Sequence, residues 1–408
     1  MTSYRWIIIA LAFLAIIINY LDRTALSYAI TPLQETFNLN NADFGLIASA
    51  FGIGYLIMTV GGGILVDKFG TRKIWSIFAI IWSCACILIG FATGFIWLFI
   101  FRLTLGIAEG PGFPALTRVC ADWLPLNERA RALAFGLAAV PFASVIGAPL
   151  ISHLIAFVGW RSMFWILGVF GILWGFLWYA LFRDRPKESQ YVSTEELAYI
   201  HLEHGANLQK EKTSWHFILF NRTLMINNYA FFAFGYLLFF AITWLPGYLE
   251  QTYHLHIKSV GWFLILPWLT ATLFILLGGI ICDKLWQKTQ SIRISRSHII
   301  WICQILSVIC FIPVIFSPSL TVSLICISLG VGFGLMPNAA FYAINADLAF
   351  DKAATSLGVM DAFFALAGII APALTGWLTH FSGNFSSAFI LVMLLTFSSS
   401  LLIVIYQK

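Results

Sequence analysis

The feature that most limits how this chain can fold is a succession of long, nearly uncharged runs. A helix needs about 20 apolar residues to cross a bilayer core. Twelve such runs can be marked, at 7–30, 43–66, 73–93, 95–120, 130–157, 160–182, 222–250, 258–285, 294–316, 319–347, 353–380 and 385–406. Composition agrees, with 60% of the 408 residues hydrophobic and only 10% charged. A soluble domain carries about 25% charged residues and could not keep this much apolar surface in water. A soluble two-domain enzyme, a disordered chain and a disulfide scaffold are therefore excluded. The runs are also too long and unbroken for the ~10-residue alternating strands of a membrane barrel. The expected class is an all-α polytopic membrane protein.

The seven cysteines form no C-x-x-C pair and mostly fall inside apolar runs, as small packing residues do. Arg5 precedes an apolar run that continues past signal-peptide length, so that run is expected to remain as the first membrane helix. Most connections are short. The exception, 183–221, mixes cationic and acidic residues and separates six runs from six. It divides the chain into an N-terminal six-helix bundle over 1–182, a cytoplasmic linker over 183–221 and a C-terminal six-helix bundle over 222–408. Within the linker, Ser193-Thr194-Glu195-Glu196 predicts a short surface helix whose capping box is Ser193 and Glu196. His201 and His204 have the spacing of a metal pair but no further ligands, so a solvated face is the plainer reading and no metal is expected.

Cations set the expected orientation. Of 23 Lys and Arg, Arg23 and Arg102 lie deep within runs, and Arg161 and Lys258 lie at or beside connections on one side. The other 19 fall at the N-terminus, in or beside even-numbered connections, or at the C-terminus. Positive charge accumulates on the cytoplasmic side, which places both termini and the linker there. A bacterial inner membrane is the expected location.

The halves also echo each other. Gly63-Ile64-Leu65-Val66-Asp67-Lys68-Phe69-Gly70-Thr71-Arg72-Lys73 follows the second run, and Gly279-Ile280-Ile281-Cys282-Asp283-Lys284 follows the eighth. Each puts an acid and a base at a helix end beside small residues. Such a segment suits a close helix crossing at glycine, with a salt bridge that locks one conformation of two rocking bundles. Gly63, Asp67, Arg72 and Asp283 are the gate candidates.

The first of these segments resembles the cytoplasmic signature of the major facilitator superfamily. Arg102-x-x-x-Gly106, and the stretch from Gly136 to Pro149, are similar to two further motifs of that superfamily. A narrower resemblance is to the anion:cation symporter family, which includes sugar-acid permeases and vesicular glutamate and sialic acid carriers. It rests on Asn19 through Arg23, Arg102 through Pro114, Trp123-Leu124-Pro125 with Glu128 through Ala132, Gly159-Trp160-Arg161, and Thr243 through Leu249. It implies the major facilitator fold, twelve transmembrane helices in two pseudo-symmetric six-helix bundles.

Five ionisable residues lie near the centres of the runs: Asp22, Arg23, Arg102, Glu109 and Asp361. Each costs several kcal/mol at that depth and is therefore a candidate for function. Adjacent helical residues point about 100° apart, so Asp22 and Arg23 cannot share a face. Arg102 and Glu109 share one but stand about 10 Å apart along the axis, so each needs another partner. Cross-helix pairing among these four is expected; a closed network that merely holds the bundle together is the alternative. An arginine stays charged and can hold a carboxylate in a bidentate fork, a role that falls to Arg23. A buried carboxyl that a guanidinium approaches in one conformation and leaves in another can load and release a proton. Asp22 and Glu109 are the proton-coupling candidates, with Arg102 as their charged neighbour. No histidine sits near the middle of a run; His153 and His380 lie near outer helix ends.

The family resemblance implies the same roles, an arginine at Arg23 contacting substrate carboxylate and acids at Asp22 and Glu109 taking protons. It also suggests Tyr20 and Tyr55 as pocket hydroxyls. Asp361 departs from the family's usual Asn; it could carry a second proton, bind a hydroxyl or amine, repel one class of anion, or simply hydrogen-bond in place of that Asn. Asn228 and Asn338 are further pocket candidates. Phe231, Phe232, Phe234, Phe239 and Phe240 read as lipid-facing or packing residues, with one or two available for an apolar pocket wall.

No nucleophile–base pair, metal cluster or cofactor loop is visible, and there is no G-x-x-x-x-G-K-[ST] loop for ATP. An enzyme and a primary pump are excluded. The expectation is a secondary transporter importing a small organic anion with protons, monomeric in the lipid bilayer, using no cofactor but the proton and no nucleic acid. An uncoupled facilitator or proton antiporter of the same fold remains an alternative, and a receptor or sensor a more distant one.

Overall fold

In hydrocarbon a backbone must satisfy its own hydrogen bonds, and the helix does so within one segment. In a computed structural model describing residues 4–201, 215–316, 319–349 and 353–407, the chain is helical throughout its apolar runs, and no strand occurs among the described residues. Eleven helical stretches there are long and apolar enough to cross a bilayer. One, Phe135–Leu181, has 47 residues, about 70 Å at 1.5 Å per residue, which is twice a bilayer core. Gly159 breaks it with φ 80° and ψ 162°, a conformation that favours glycine. The break falls where one expected run ends and the next begins. The protein is thus an all-α polytopic membrane protein with twelve spans.

Contacts group the chain into two units, one of residues 1–29 and 50–208, the other of residues 30–49 and 209–408. The grouping differs from a simple division by helix order, since residues 30–49 go with the C-terminal helices.

In the first unit the helices are α1 (Tyr4–Tyr28), most of α3 (Asn41–Phe69), α4 (Thr71–Gly90), α5 (Phe95–Glu109), α6 (Gly112–Trp123), α7 (Leu126–Leu181) and α8 (Thr194–His201); α2 (Ile30–Phe37) belongs to the second unit. The long α7 packs along both α1 and α4. Indoles fill the α4–α7 seam: Trp75 lies 5.3 Å from Trp174 and 4.9 Å from Trp178, and Trp82 stacks on Trp174 at 5.9 Å. Trp178 stacks on Phe182 at 4.2 Å, and the Trp174 indole donates to the Leu11 carbonyl of α1. Helices α3 and α5 cross with backbones touching, because a Cβ on Gly106 would collide with the Phe51 carbonyl.

The linker helix forms as α8, and Ser193 caps it by accepting from the Glu196 N–H at 3.1 Å. The reciprocal half of the expected capping box is not made among the described residues. The Glu196 carboxylate instead accepts from the backbone N–H groups of Tyr4 and Arg5 and pairs with the Arg5 guanidinium at 3.2 Å. The free first-turn amides of α1 compete better for it than its own helix start. His204 lies outside the described residues.

The second unit adds α9 (Trp215–Phe220), α10 (Arg222–Tyr253), α11 (Ile257–Phe263), α12 (Ile265–Thr289), α13 (His298–Phe311), α14 (Leu320–Leu335), α15 (Asn338–Ala349), α16 (Ala353–Ser382) and α17 (Ser386–Tyr406). Helix α10 is enclosed by α14, α15, α16 and α17. Of the two readings given to its phenylalanines, lipid-facing or packing, packing holds for Phe231, Phe234, Phe239 and Phe240, which are all buried. Hydropathy cannot separate lipid from a neighbouring helix, since both are apolar. Residues 30–49 dock on this unit through Ser49, whose hydroxyl donates to the Ile369 carbonyl at 2.7 Å, and through a Thr31–Glu250 hydrogen bond.

Candidate functional site

The ionisable residues of the first unit gather where α1, α4 and α5 meet. Arg23 Nε donates to Glu109 Oε2 at 2.6 Å, an ion pair with side-chain exposures of 6% and 0%. Three rings surround the Arg23 guanidinium: Tyr20 at 4.5 Å, Phe51 at 4.7 Å and Tyr55 at 4.6 Å from its central carbon. Such contacts contribute about 0.5–2 kcal/mol each, more when desolvated. Tyr20 and Tyr55 thus present ring faces to the cation, a contact that the expectation of pocket hydroxyls did not include. Phe51 was missed altogether. It also underlies Arg102, whose guanidinium carbon is 5.1 Å from the same ring.

Asp22 and Arg23 diverge as adjacent helical residues must. Asp22 is fully buried against α4, where the Cys86 thiol donates to its Oδ1 at 3.6 Å. Cys86 gave no signal in sequence, being one small residue in an apolar run. Asp22 Oδ2, Glu109 Oε1 and Arg102 Nε and Nη1 are buried with no hydrogen-bond partner among the described residues. A cluster of two acids and two guanidinium groups with this much unused bonding capacity can take up a proton or a further anion.

Among the gate candidates, Asp67 pairs with Arg118 of α6 at 3.3 Å, and Arg118 also holds Asp122 at 2.7 Å. The Arg72 backbone N–H donates to Asp184 and its Nε to the Tyr179 carbonyl, each at 2.9 Å. A cleft of about 500 Å³ lined by Asp67, Arg118, Asp122 and Asp184 opens here. The close crossing assigned to Gly63 falls one residue earlier. A Cβ on Gly62 would lie 2.7 Å from the Pro111 Cα, whereas Gly63 has its nearest neighbour, Pro114, at 3.8 Å. The second unit repeats this offset, since a Cβ on Gly278 would strike the Met336 carbonyl while Gly279 has Ala339 at 4.0 Å. Asp283 is exposed and forms no ion pair among the described residues.

In the second unit, Asp361 on α16 accepts from the Tyr342 hydroxyl of α15 at 3.4 Å. Asn228 and Asn338 are buried, and neither makes a hydrogen bond to Asp361 among the described residues. Asn227 is spent on packing, donating to the Phe341 carbonyl at 3.0 Å.

Residues 12–372 match the sequence model of the Major Facilitator Superfamily. The chain belongs to that superfamily. It is a multi-pass membrane transporter and not an enzyme. It is 30% identical over 387 residues to a protein named a probable sulfoacetate transporter from Cupriavidus necator, covering 95% of this chain and 90% of that one. It is also 30% identical to the hexuronate transporter of Bacillus subtilis, covering 98% and 94%. Among solved structures, it shares its fold with a bacterial homologue of the human lysosomal transporter Spinster, in an inward-facing and occupied conformation. That likeness has a TM-score of 0.77 at 18% identity and covers 99% of this chain and 96% of the other.

Proposed function

We propose that the protein is a proton-coupled symporter that imports a small organic anion by alternating access. The observation that carries this reading is the buried Arg23–Glu109 pair. Glu109 occupies the guanidinium that would otherwise hold a substrate carboxylate. Protonating Glu109 discharges the pair and leaves Arg23 a buried cation needing a new anion, so proton and substrate bind together. Losing both returns Glu109 to Arg23. For a monoanion and one proton the step moves no net charge. Asp22, held by the Cys86 thiol, is a second proton carrier beside the first, and Arg102 keeps the local balance of two acids and two bases.

The relatives support the substrate class, since sulfoacetate and hexuronates are small organic anions. Two buried arginines also argue against export of lipophilic cations, which they would repel. The bundles would rock about the site, with Gly63, Asp67, Arg72 and Asp283 at the cytoplasmic gate, joined there by Arg118. The location is a bacterial inner membrane with both termini in the cytoplasm.

Uptake into proteoliposomes under an imposed pH gradient tests the reading. Acid outside should drive accumulation of glucuronate or sulfoacetate above the outside concentration, and Arg23→Ala should abolish it. Accumulation that ignores the gradient and survives Glu109→Gln unchanged would replace the symporter with a facilitator.

A further inference from the structure

Cys86 is a single donor placed between two acceptors. It sits on α4, fully buried. Its Sγ lies 3.6 Å from Asp22 Oδ1 on α1 and 3.6 Å from the Phe164 carbonyl oxygen on α7. A thiol carries one proton, so it serves one of them at a time. The distances are equal, and the stronger acceptor takes the bond. An ionised carboxylate outcompetes a peptide carbonyl, because a charge-assisted hydrogen bond is about twice as strong as a neutral one. A protonated carboxyl is the poorest acceptor of the three, since its carbonyl lacks the electron donation of an amide nitrogen.

Asp22 has room for a proton on its other oxygen. Oδ2 is buried with no hydrogen-bond partner among the described residues, while Oδ1 faces the thiol. A proton arriving on Oδ2 leaves the thiol its own proton, and only the S–H bond turns, about Cβ–Sγ, from Asp22 to Phe164. The charged groups that act on Asp22 come from α5, Glu109 and Arg102. On the other helices packed against α1, Arg118 and Asp122 of α6 pair with each other. On α7, Glu128 pairs with Arg5, His153 meets the Pro149 carbonyl and Arg161 lies over the Trp160 ring. We propose that Cys86 is a positioning residue of proton coupling: its thiol ties α4 to α1 while Asp22 is ionised, and ties α4 to α7 once Asp22 is protonated. One proton thereby moves a tether from one helix to another within the first unit. The proposal deepens the reading of Asp22 as a proton carrier and rests on it.

Infrared difference spectroscopy of the purified full chain over a pH titration decides it, because the S–H stretch absorbs in a window clear of other protein groups. The S–H band missing from Cys86→Ala belongs to Cys86, and the carboxyl band missing from Asp22→Asn belongs to Asp22. On acidification the Cys86 band should move to higher frequency, as its hydrogen bond weakens, with the same midpoint at which the Asp22 carboxyl band grows. In Asp22→Asn it should stay fixed. Cys86→Ala leaves the carboxylate without its donor and should raise the Asp22 midpoint by about one pH unit, and Cys86→Ser, which keeps one donated proton, should return it. A Cys86 band that ignores pH while Asp22 titrates, or that still moves in Asp22→Asn, overturns the positioning role, as does an unchanged midpoint in Cys86→Ala. An Asp22 carboxyl that never changes protonation overturns the proton-carrier reading and the positioning with it, and the Asp22 band alone distinguishes that outcome. If Cys86→Ala fails to fold, Cys86→Ser identifies the band, and the comparison of wild type with Asp22→Asn decides.

Discussion

Glu109→Gln removes the counter-ion of Arg23 while keeping the size and shape of the side chain. Breaking a buried ion pair by removing one partner costs about 3–5 kcal/mol. The glutamine carbonyl can still accept from Arg23 Nε, where the carboxylate oxygen stands 2.6 Å away, and a hydrogen bond to a charged donor returns about 1.5–3 kcal/mol. The net loss is about 2 kcal/mol of stability. An anion that restores the missing charge should recover that amount, which corresponds to roughly 30-fold tighter binding. The pH dependence follows from the same exchange. In the wild type each bound anion requires a proton on Glu109, so binding is strongest in acid. Above the point where Glu109 ionises, the dissociation constant rises about tenfold per pH unit. In the variant that proton is no longer needed and the profile is flat. Titrating glucuronate into both proteins from pH 5.5 to 8.5, by calorimetry or melting shift, reads slope and affinity together. A variant with the wild-type slope, or one that binds the anion more weakly, would refute the exchange of Glu109 for substrate at Arg23.

Two further outcomes follow from packing and charge. Gly106→Ala drives a Cβ into the Phe51 carbonyl and should cost about 1–3 kcal/mol, whereas Gly94→Ala meets nothing within 4 Å and should be nearly neutral; thermal melting in detergent compares them. Single cysteines at Lys187 and Lys258 should react with an impermeant maleimide from opposite sides of the membrane, Lys187 from the cytoplasmic side, and labelling from one side only would undo the orientation read from the cations.

The spans were legible because hydrocarbon forbids unsatisfied backbone, which leaves long apolar helices as the readable signal. The membership of the cluster was legible for the same energetic reason: charge is too costly at that depth to be incidental, so Asp22, Arg23, Arg102 and Glu109 announced themselves. Their pairing was only half legible. Periodicity separates Asp22 from Arg23 by angle, but it cannot say that Cys86 faces one and Glu109 the other, since that depends on how helices distant in sequence are rotated. The partner of Asp67 was not legible, because Arg118, 51 residues away, arrives by helix packing. The glycine crossings were off by one residue in both halves, a shift of about 100° on a helix that the repeat preserved but hydropathy could not resolve.

The indole seam between α4 and α7 has an optical consequence. Aromatic rings held in fixed, close orientation give a strong near-ultraviolet circular dichroism, which disappears when packing loosens. Trp75, Trp82, Trp174 and Trp178 meet that condition, and Trp82 sits one turn before Cys86, the residue that holds Asp22. The molecule thus carries a native chromophore whose far end adjoins the proton-carrying cluster, so light absorbed by the seam reports both whether a variant is still folded and whether the surroundings of Asp22 have changed.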